Sequence, residues 1–238
     1  MPDMQKSQNV RIKLTVDGTA IEGSVALPVG KSPQRVLLPA LQGLTDAVVN
    51  LAQMQAESAG EKVSCRKGCD ACCRQMVPIA PVEAFALAAH LDALPPGTAA
   101  PVLERFDQAV EALDEKGLLE PLRRRHALSV SAMRAVDRAY FAAQIACPFL
   151  EEGACTIHAV RPLACREYLV TSPASQCAAP EAERVRPLVL GAKLSRVLAK
   201  GQKEWVPLAL AREYVAHHRE AQVEDPRESL LAMLQKLS

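Results

Sequence analysis

The chain has 238 residues, 49% of them hydrophobic, which is enough for one substantial core or a core with a small appendage. Twenty-eight basic side chains balance 27 acidic ones, so no global field points to nucleic acid or to a membrane surface. No run of about 18 apolar residues exists to span a bilayer, and the N-terminal MPDMQKSQNVRIKL lacks the apolar stretch of a secretory signal. The expected compartment is the cytoplasm, where eight cysteines point to ligation or catalysis rather than to structural disulfides. Aromatic residues are scarce at 3%, so the core must rest on Leu, Val and Ala, a composition that favours helix.

Val10 to Leu27 reads as a β-hairpin. Val10, Ile12, Leu14 and Val16 alternate with Arg11, Lys13 and Thr15, and Asp17-Gly18 supplies a two-residue turn. That turn sets Val16 against Thr19, Leu14 against Ile21 and Lys13 against Glu22. A lone hairpin is marginal in water, so it must pack on helices, on another strand or on a partner chain. A structural appendage is preferred to a dimerisation element.

Gly30 to Pro33 is a break, and Leu37, Leu41, Leu44, Val48 and Leu51 then fall at helical spacing between about Val36 and Ala56. A second helix starts at Pro81, with Glu83 in its first turn, and stops before Pro95-Pro96-Gly97. Thr98 is the expected cap of a third over Ala99 to Leu113. A fourth is expected from Leu118 to Ala143 and a fifth from Pro207 to Arg219. Asp225-Pro226-Arg227-Glu228 opens the last, as cap, proline and reciprocal Glu. Cys147 to Pro187 shows no clear periodicity and is punctuated by Pro148, Gly153, Pro162, Pro173, Pro180 and Pro187. A stretch this long needs another source of order, and bound metal is one.

All eight cysteines lie between Cys65 and Cys177. The first group is Cys65-Arg-Lys-Gly-Cys69-Asp-Ala-Cys72-Cys73. On a helix these fall at roughly 0°, 40°, −20° and 80°, so one face would carry all four sulfurs. Gly68 argues against a perfect helix, and a loop opening into a helix is equally compatible. Either arrangement crowds thiols that repel as thiolates and oxidise readily; a cation removes both problems. Arg66, Lys67 and Arg74 flank the group and favour thiolate. Side chains of the adjacent Cys72 and Cys73 diverge, so two ions or a polynuclear cluster fit better than one zinc site. The second group is Cys147, Cys155, Cys165 and Cys177, with His158 as an optional ligand and Arg161 and Arg166 as donors to ligating sulfur or to an anion.

CRKGCDACC followed by CPFLEEGACTIHAVRPLACR resembles the YkgJ-type cysteine-cluster family, also called the zinc- or iron-chelating CxxxCxxCC domain. The resemblance spans about Cys65 to Cys177, and His158 stands where the family usually has an aromatic residue. It implies metal chelation and no settled reaction; a similar cluster in flagellin lysine N-methylases extends it by analogy to protein modification.

Other signals weigh less. Arg123-Arg124-Arg125-His126 with Arg134 and Arg138 reads as a basic helix with a solvated face, since no aromatic residues interleave for nucleic-acid stacking. His217-His218 suits a helix C-terminus, and Trp205 reads as a core anchor.

The expected fold is mainly α: a hairpin appendage (1–30), a helical domain with an irregular cysteine-rich metal-binding segment (31–200) and a helical extension (201–238) packed on or near it. The expected ligands are Cys65, Cys69, Cys72, Cys73, Cys147, Cys155, Cys165 and Cys177, taking zinc or iron, an iron–sulfur cluster included. Three functions compete: a structural or metal-handling site, an iron-dependent or iron–sulfur enzyme, and a metal-free thiol switch or interaction module. The first is preferred. Metal ions are the expected partners, with a protein partner or substrate compatible and neither nucleic acid nor membrane expected; oligomeric state is open.

Overall fold

The computed structural model describes residues 6–66, 68–178, 185–202 and 204–237, without the side chains of Lys200 and Gln202. Lys67 and Pro180 lie outside the described residues.

The alternating N-terminal stretch forms β1 (Ser7–Val16), antiparallel to β2 (Thr19–Pro28). Asp17 (φ 49°) and Gly18 (φ 76°) both take left-handed backbone, the conformation whose twist matches the flanking strands. The register is the expected one, with Val16 opposite Thr19, Leu14 opposite Ile21, and Lys13 opposite Glu22 at 3.1 Å. That ion pair is exposed and contributes little. Burial holds the hairpin: Val10, Ile12, Leu14, Val16 and Leu27 enter one apolar cluster with helix residues.

Strand β3 (Ser32–Pro33) leads through a 3-10 turn into α1 (Leu38–Ser58), which buries Leu41, Leu44 and Val48. Strand β4 (Pro78–Ile79) precedes α2 (Pro81–Asp92), where Glu83 reaches back to accept the Ala80 N–H at 2.8 Å. Helix α3 (Pro96–Glu115) begins earlier than expected, so Thr98 is not its cap. Pro96 takes the first helical position, where its missing N–H leaves nothing unpaired.

The expected long fourth helix is broken. It becomes α4 (Leu119–Arg123), a 3-10 turn and α5 (Val130–Ala143). Leu128 is extended, and the Ser129 hydroxyl accepts the Ala132 N–H at 3.2 Å, so a new cap wins over continuity. The basic residues therefore share no single helix. Arg123 bridges Glu120 and Glu213, and Arg125 pairs with Glu204.

Strands β5 (Leu150–Glu151) and β6 (Ala154–Cys155) and helices α6 (Leu163–Glu167) and α7 (Leu194–Gln202) follow. Sequence periodicity signalled none of these four. Strand β7 (Val206–Pro207) runs into a 3-10 turn, and the expected fifth helix shrinks to α8 (Ala211–His217). Trp205 is half-buried and lies outside the core: the Arg125 guanidinium sits 5.4 Å over its ring and Arg125 Nε donates to its carbonyl at 2.6 Å. His218 stacks on Tyr214 at 3.9 Å, with Nδ1 2.8 Å from the Tyr214 carbonyl at the C-terminal end of α8.

Strand β8 (Gln222–Val223) and helix α9 (Pro226–Leu234) close the chain. The pairs β3–β8 and β4–β7 tie the C-terminal stretch to the N-terminal half, and α9 packs on the hairpin. Asp225 caps α9 by accepting from Arg227 N (2.8 Å) and Glu228 N (3.3 Å). Asp225→Ala is expected to lower stability by about 0.5–2 kcal/mol, read as a fall in the urea midpoint.

Three apolar clusters fill the interior. The first joins the hairpin to α1, α7 and α9. The second joins α2 and α3 to Phe149, Ile157 and Val206, and the third gathers around α4.

Candidate metal centre

All eight cysteines are free thiols. Cys65 packs against the first cluster, and Cys147 and Cys155 against the second.

The Cys65–Cys73 segment is neither a helix nor a loop opening into one. Gly68 (φ 82°) reverses the chain, and successive turns follow, with Cys69 N bonded to Arg66 O (3.0 Å), Cys73 N to Asp70 O (2.8 Å) and Gln75 N to Cys72 O (3.1 Å). A turn bond spanning three residues replaces the helical bond, so the four sulfurs are gathered by folding back rather than by helical phase. At one end, Ser64 N donates to Val170 O at 2.9 Å. At the other, the Cys73 carbonyl accepts the Cys147 N–H at 2.8 Å, which joins the two cysteine segments.

The second segment is a small hairpin. Strand β5 pairs with β6 across Glu152 (φ 47°) and Gly153 (φ 74°), so Leu150 faces Cys155. Phe149 is fully buried and meets Phe106 edge-on at 5.3 Å, which fixes the hairpin to α3. Arg105 Nε adds a bond to the Pro148 carbonyl at 2.8 Å. The Glu-Gly pair between Leu150-Glu151 and Ala154-Cys155 was the sequence signal for this turn.

Helix α6 carries Cys165 and is clamped from three sides. Glu83 Oε1 accepts the Leu163 N–H at 2.8 Å. Arg166 Nη1 donates to both Asp46 oxygens of α1, at 2.9 and 2.7 Å. Glu167 accepts from Ser195 N (2.9 Å) and from the Ser195 hydroxyl at the start of α7. Arg166 also donates through Nε to the Arg161 carbonyl (3.0 Å) and through Nη2 to the Ala159 carbonyl. Its three nitrogens therefore meet oxygen, the Asp46 carboxylate and two backbone carbonyls, rather than a ligating sulfur. The sequence marks Glu83 only as a helix-start acid and does not single out Asp46.

Electrostatics register the convergence. Cys72 is pushed up first by its hydrogen bond with Cys73 and then by burial. Burial pushes Cys147 up to about 12 and raises Cys65, Cys155, Cys165 and Cys177. The Cys72 charge is felt at Cys65, Cys147, Cys155, Cys165 and Cys177, so it lies within range of thiols from both segments. Four sulfurs also accept backbone N–H groups, Cys65 from Val170, Cys72 from its own backbone, Cys147 from Phe149 and Cys155 from Ile157, bonds that favour thiolate. Arg161 favours thiolate at Cys65, Cys72 and Cys155, and Arg105 at Cys147. Of the flanking cations expected to do this, Arg66 is exposed and Arg74 lies 3.3 Å from Asp70.

Cys177 is held by Gln75 Nε2, which donates to its carbonyl at 3.0 Å, and its thiol shares a hydrogen bond with the Tyr168 hydroxyl. His158 is exposed in a 3-10 turn. Among the described residues, no group of three or more His, Cys, Asp or Glu side chains stands ready-made to hold an ion. The donor chemistry nevertheless fits zinc or iron: soft sulfurs, reduced, supplied with N–H donors, and raised in pKa by a burial that a bound cation offsets. The arginine Arg161 adds a mark of its own, because its Nε is buried without a hydrogen-bond partner, at a cost of about 1–3 kcal/mol.

No helix among the described residues is long and apolar enough to cross a membrane. Neither a curated protein nor a solved structure matches the chain. A family model does: residues 64–185, just over half the chain, match the family described as "CxxCxxCC: Putative zinc- or iron-chelating domain". That span begins one residue before Cys65 and runs past Cys177, so it contains all eight cysteines, and the chain belongs to the CxxCxxCC family of zinc- or iron-chelating domains.

Proposed function

We propose that this protein holds zinc or iron through thiolates from both segments, Cys65, Cys69, Cys72 and Cys73 with Cys147, Cys155, Cys165 and Cys177, in a structural or metal-handling role. The observation that supports the reading is the backbone bond from Cys147 N to Cys73 O, which links the two cysteine segments, together with backbone N–H donors at sulfurs of both. A bound cation supplies the positive charge that makes ionising several neighbouring buried thiols favourable. The chain's part is to release those thiol protons, orient the sulfurs and keep water from them. Eight sulfurs exceed the four that one tetrahedral ion takes, so two ions or a polynuclear cluster suit the set. Free thiols in this number suit a reducing compartment, the cytoplasm.

A second reading, an iron-dependent or iron–sulfur enzyme, is favoured by the adjacent Cys72 and Cys73 and by the surplus of thiols over one tetrahedral site.

Purification under anaerobic conditions, without added metal, followed by elemental analysis and an absorption spectrum tests both. Stoichiometric zinc or iron is the expected result. A brown, oxygen-sensitive sample selects the enzyme reading, and a colourless zinc protein removes it. A folded, fully reduced protein without metal contradicts the proposal.

A further inference from the structure

The motif Arg161-Pro162-Leu163-Ala164-Cys165-Arg166 contains two arginines with opposite surroundings. Arg166 is buried, and all three of its nitrogens donate to oxygen. Arg161 has a buried Nε with no hydrogen-bond partner. Its backbone is nevertheless pinned, because its carbonyl accepts from Arg166 Nε at 3.0 Å and from Gln42 Nε2 at 3.4 Å. The residue is thus held in place while its side chain keeps a donor out of water and unused. Buried donors are almost always paired, so an unpaired one calls for an acceptor that arrives later.

The surroundings identify that acceptor. The Arg161 charge acts on Cys65 and Cys72 of the first segment and on Cys155 of the second. A divalent ion held by four thiolates carries two net negative charges, and such a centre needs both counter-charge and N–H donors on its sulfurs. A guanidinium supplies both in one rigid group, whereas a lysine supplies charge without a fixed Nε–H.

We propose that Arg161 is a positioning residue of the metal centre, its Nε–H donating to a ligating sulfur and its charge offsetting the anionic thiolates of the loaded state. This rests on the metal-binding reading above.

The test compares wild type with Arg161→Met, Arg161→Lys and, as a structural control, Arg166→Met. Zn²⁺ affinity is measured by chelator competition, and Co²⁺ serves as a spectroscopic probe. Arg161→Met is expected to weaken Zn²⁺ binding by about 10–100-fold and to shift the sulfur-to-cobalt absorption band. Arg161→Lys should recover part of the affinity and leave the band shifted. Metal-free Arg161→Met should be as stable as wild type or more so, since an unpaired donor has been removed, while Arg166→Met is destabilised with and without metal. Unchanged affinity and an unshifted band in Arg161→Met overturn the inference. So does a loss of metal-free stability matching that of Arg166→Met. A wild-type protein that takes up neither Zn²⁺ nor Co²⁺ overturns the metal reading, and this inference with it.

Discussion

Cys72→Ser is expected to cost more metal affinity than any other single cysteine substitution, beyond the ceiling of about 100-fold typical of changes outside the ligand set. Cys72 is the thiol whose charge is felt most widely, at Cys65 and at Cys147, Cys155, Cys165 and Cys177. Serine keeps the size within an atom's difference and removes the soft donor, so folding of the turn should survive while ligation fails. Zinc or iron content after dialysis against a mild chelator checks this, with Cys177→Ser as the comparison. Cys177 is anchored by Gln75 and Tyr168 and couples to fewer thiols, and its loss should be milder. Equal retention of metal by the Cys72 variant and wild type would remove Cys72 from the centre.

The second large effect belongs to Glu83. One of its oxygens accepts the Ala80 N–H and the other the Leu163 N–H, both at 2.8 Å, and the side chain is buried at 4% exposure. Glu83→Ala leaves two buried N–H groups unpaired, which costs about 2–6 kcal/mol at about 1–3 kcal/mol each. Glu83→Gln keeps one carbonyl acceptor and should lose roughly half as much. Because Leu163 opens the helix that carries Cys165, the alanine variant should also weaken metal binding. Denaturant unfolding of the metal-free protein reads the first effect, and chelator competition the second.

The same residue shapes the pH profile. Burial pushes the Glu83 carboxyl from its ordinary 4.5 up to about 7, so the folded state holds a proton that the unfolded chain releases. Its contribution to stability is full below about pH 4.5 and lost as pH rises through about 7. Glu167, also raised by burial, adds a slope of the same sign. Glu83→Gln should therefore flatten, without abolishing, the fall in metal-free stability across that window. An unchanged slope in the variant would assign the fall to other groups.

The hairpin register was readable because alternation, turn chemistry and charge pairing all agreed on one solution. The caps at Pro81 and Asp225 were readable for the same reason: each is a local rule. What local rules could not decide was competition. Ser129 opens a new helix in the middle of a periodic stretch, and nothing in the periodicity reveals that its cap bond wins over continuation. Gly68 already cast doubt on a helical Cys65–Cys73, yet the turns that replace it depend on Cys73 meeting Cys147 across more than seventy residues. Helix α6 has only five residues and is stabilised by Asp46, Glu83 and Ser195, each remote in sequence. Cysteine spacing thus nominated the donors, while the residues that hold their backbone in place became visible only through the fold. The two arginines of one motif make the same point: spacing treated them alike, and packing turned one to oxygen and left the other's Nε without a partner.

Alkylation mapping by mass spectrometry, before and after chelation, is the most direct test that both thiol groups share one centre. The metal-loaded protein should protect cysteines of both segments, Cys65 to Cys73 and Cys147 to Cys177, and chelator should expose them together. Protection confined to one segment, or reactivity unaltered by chelation, would contradict a shared centre.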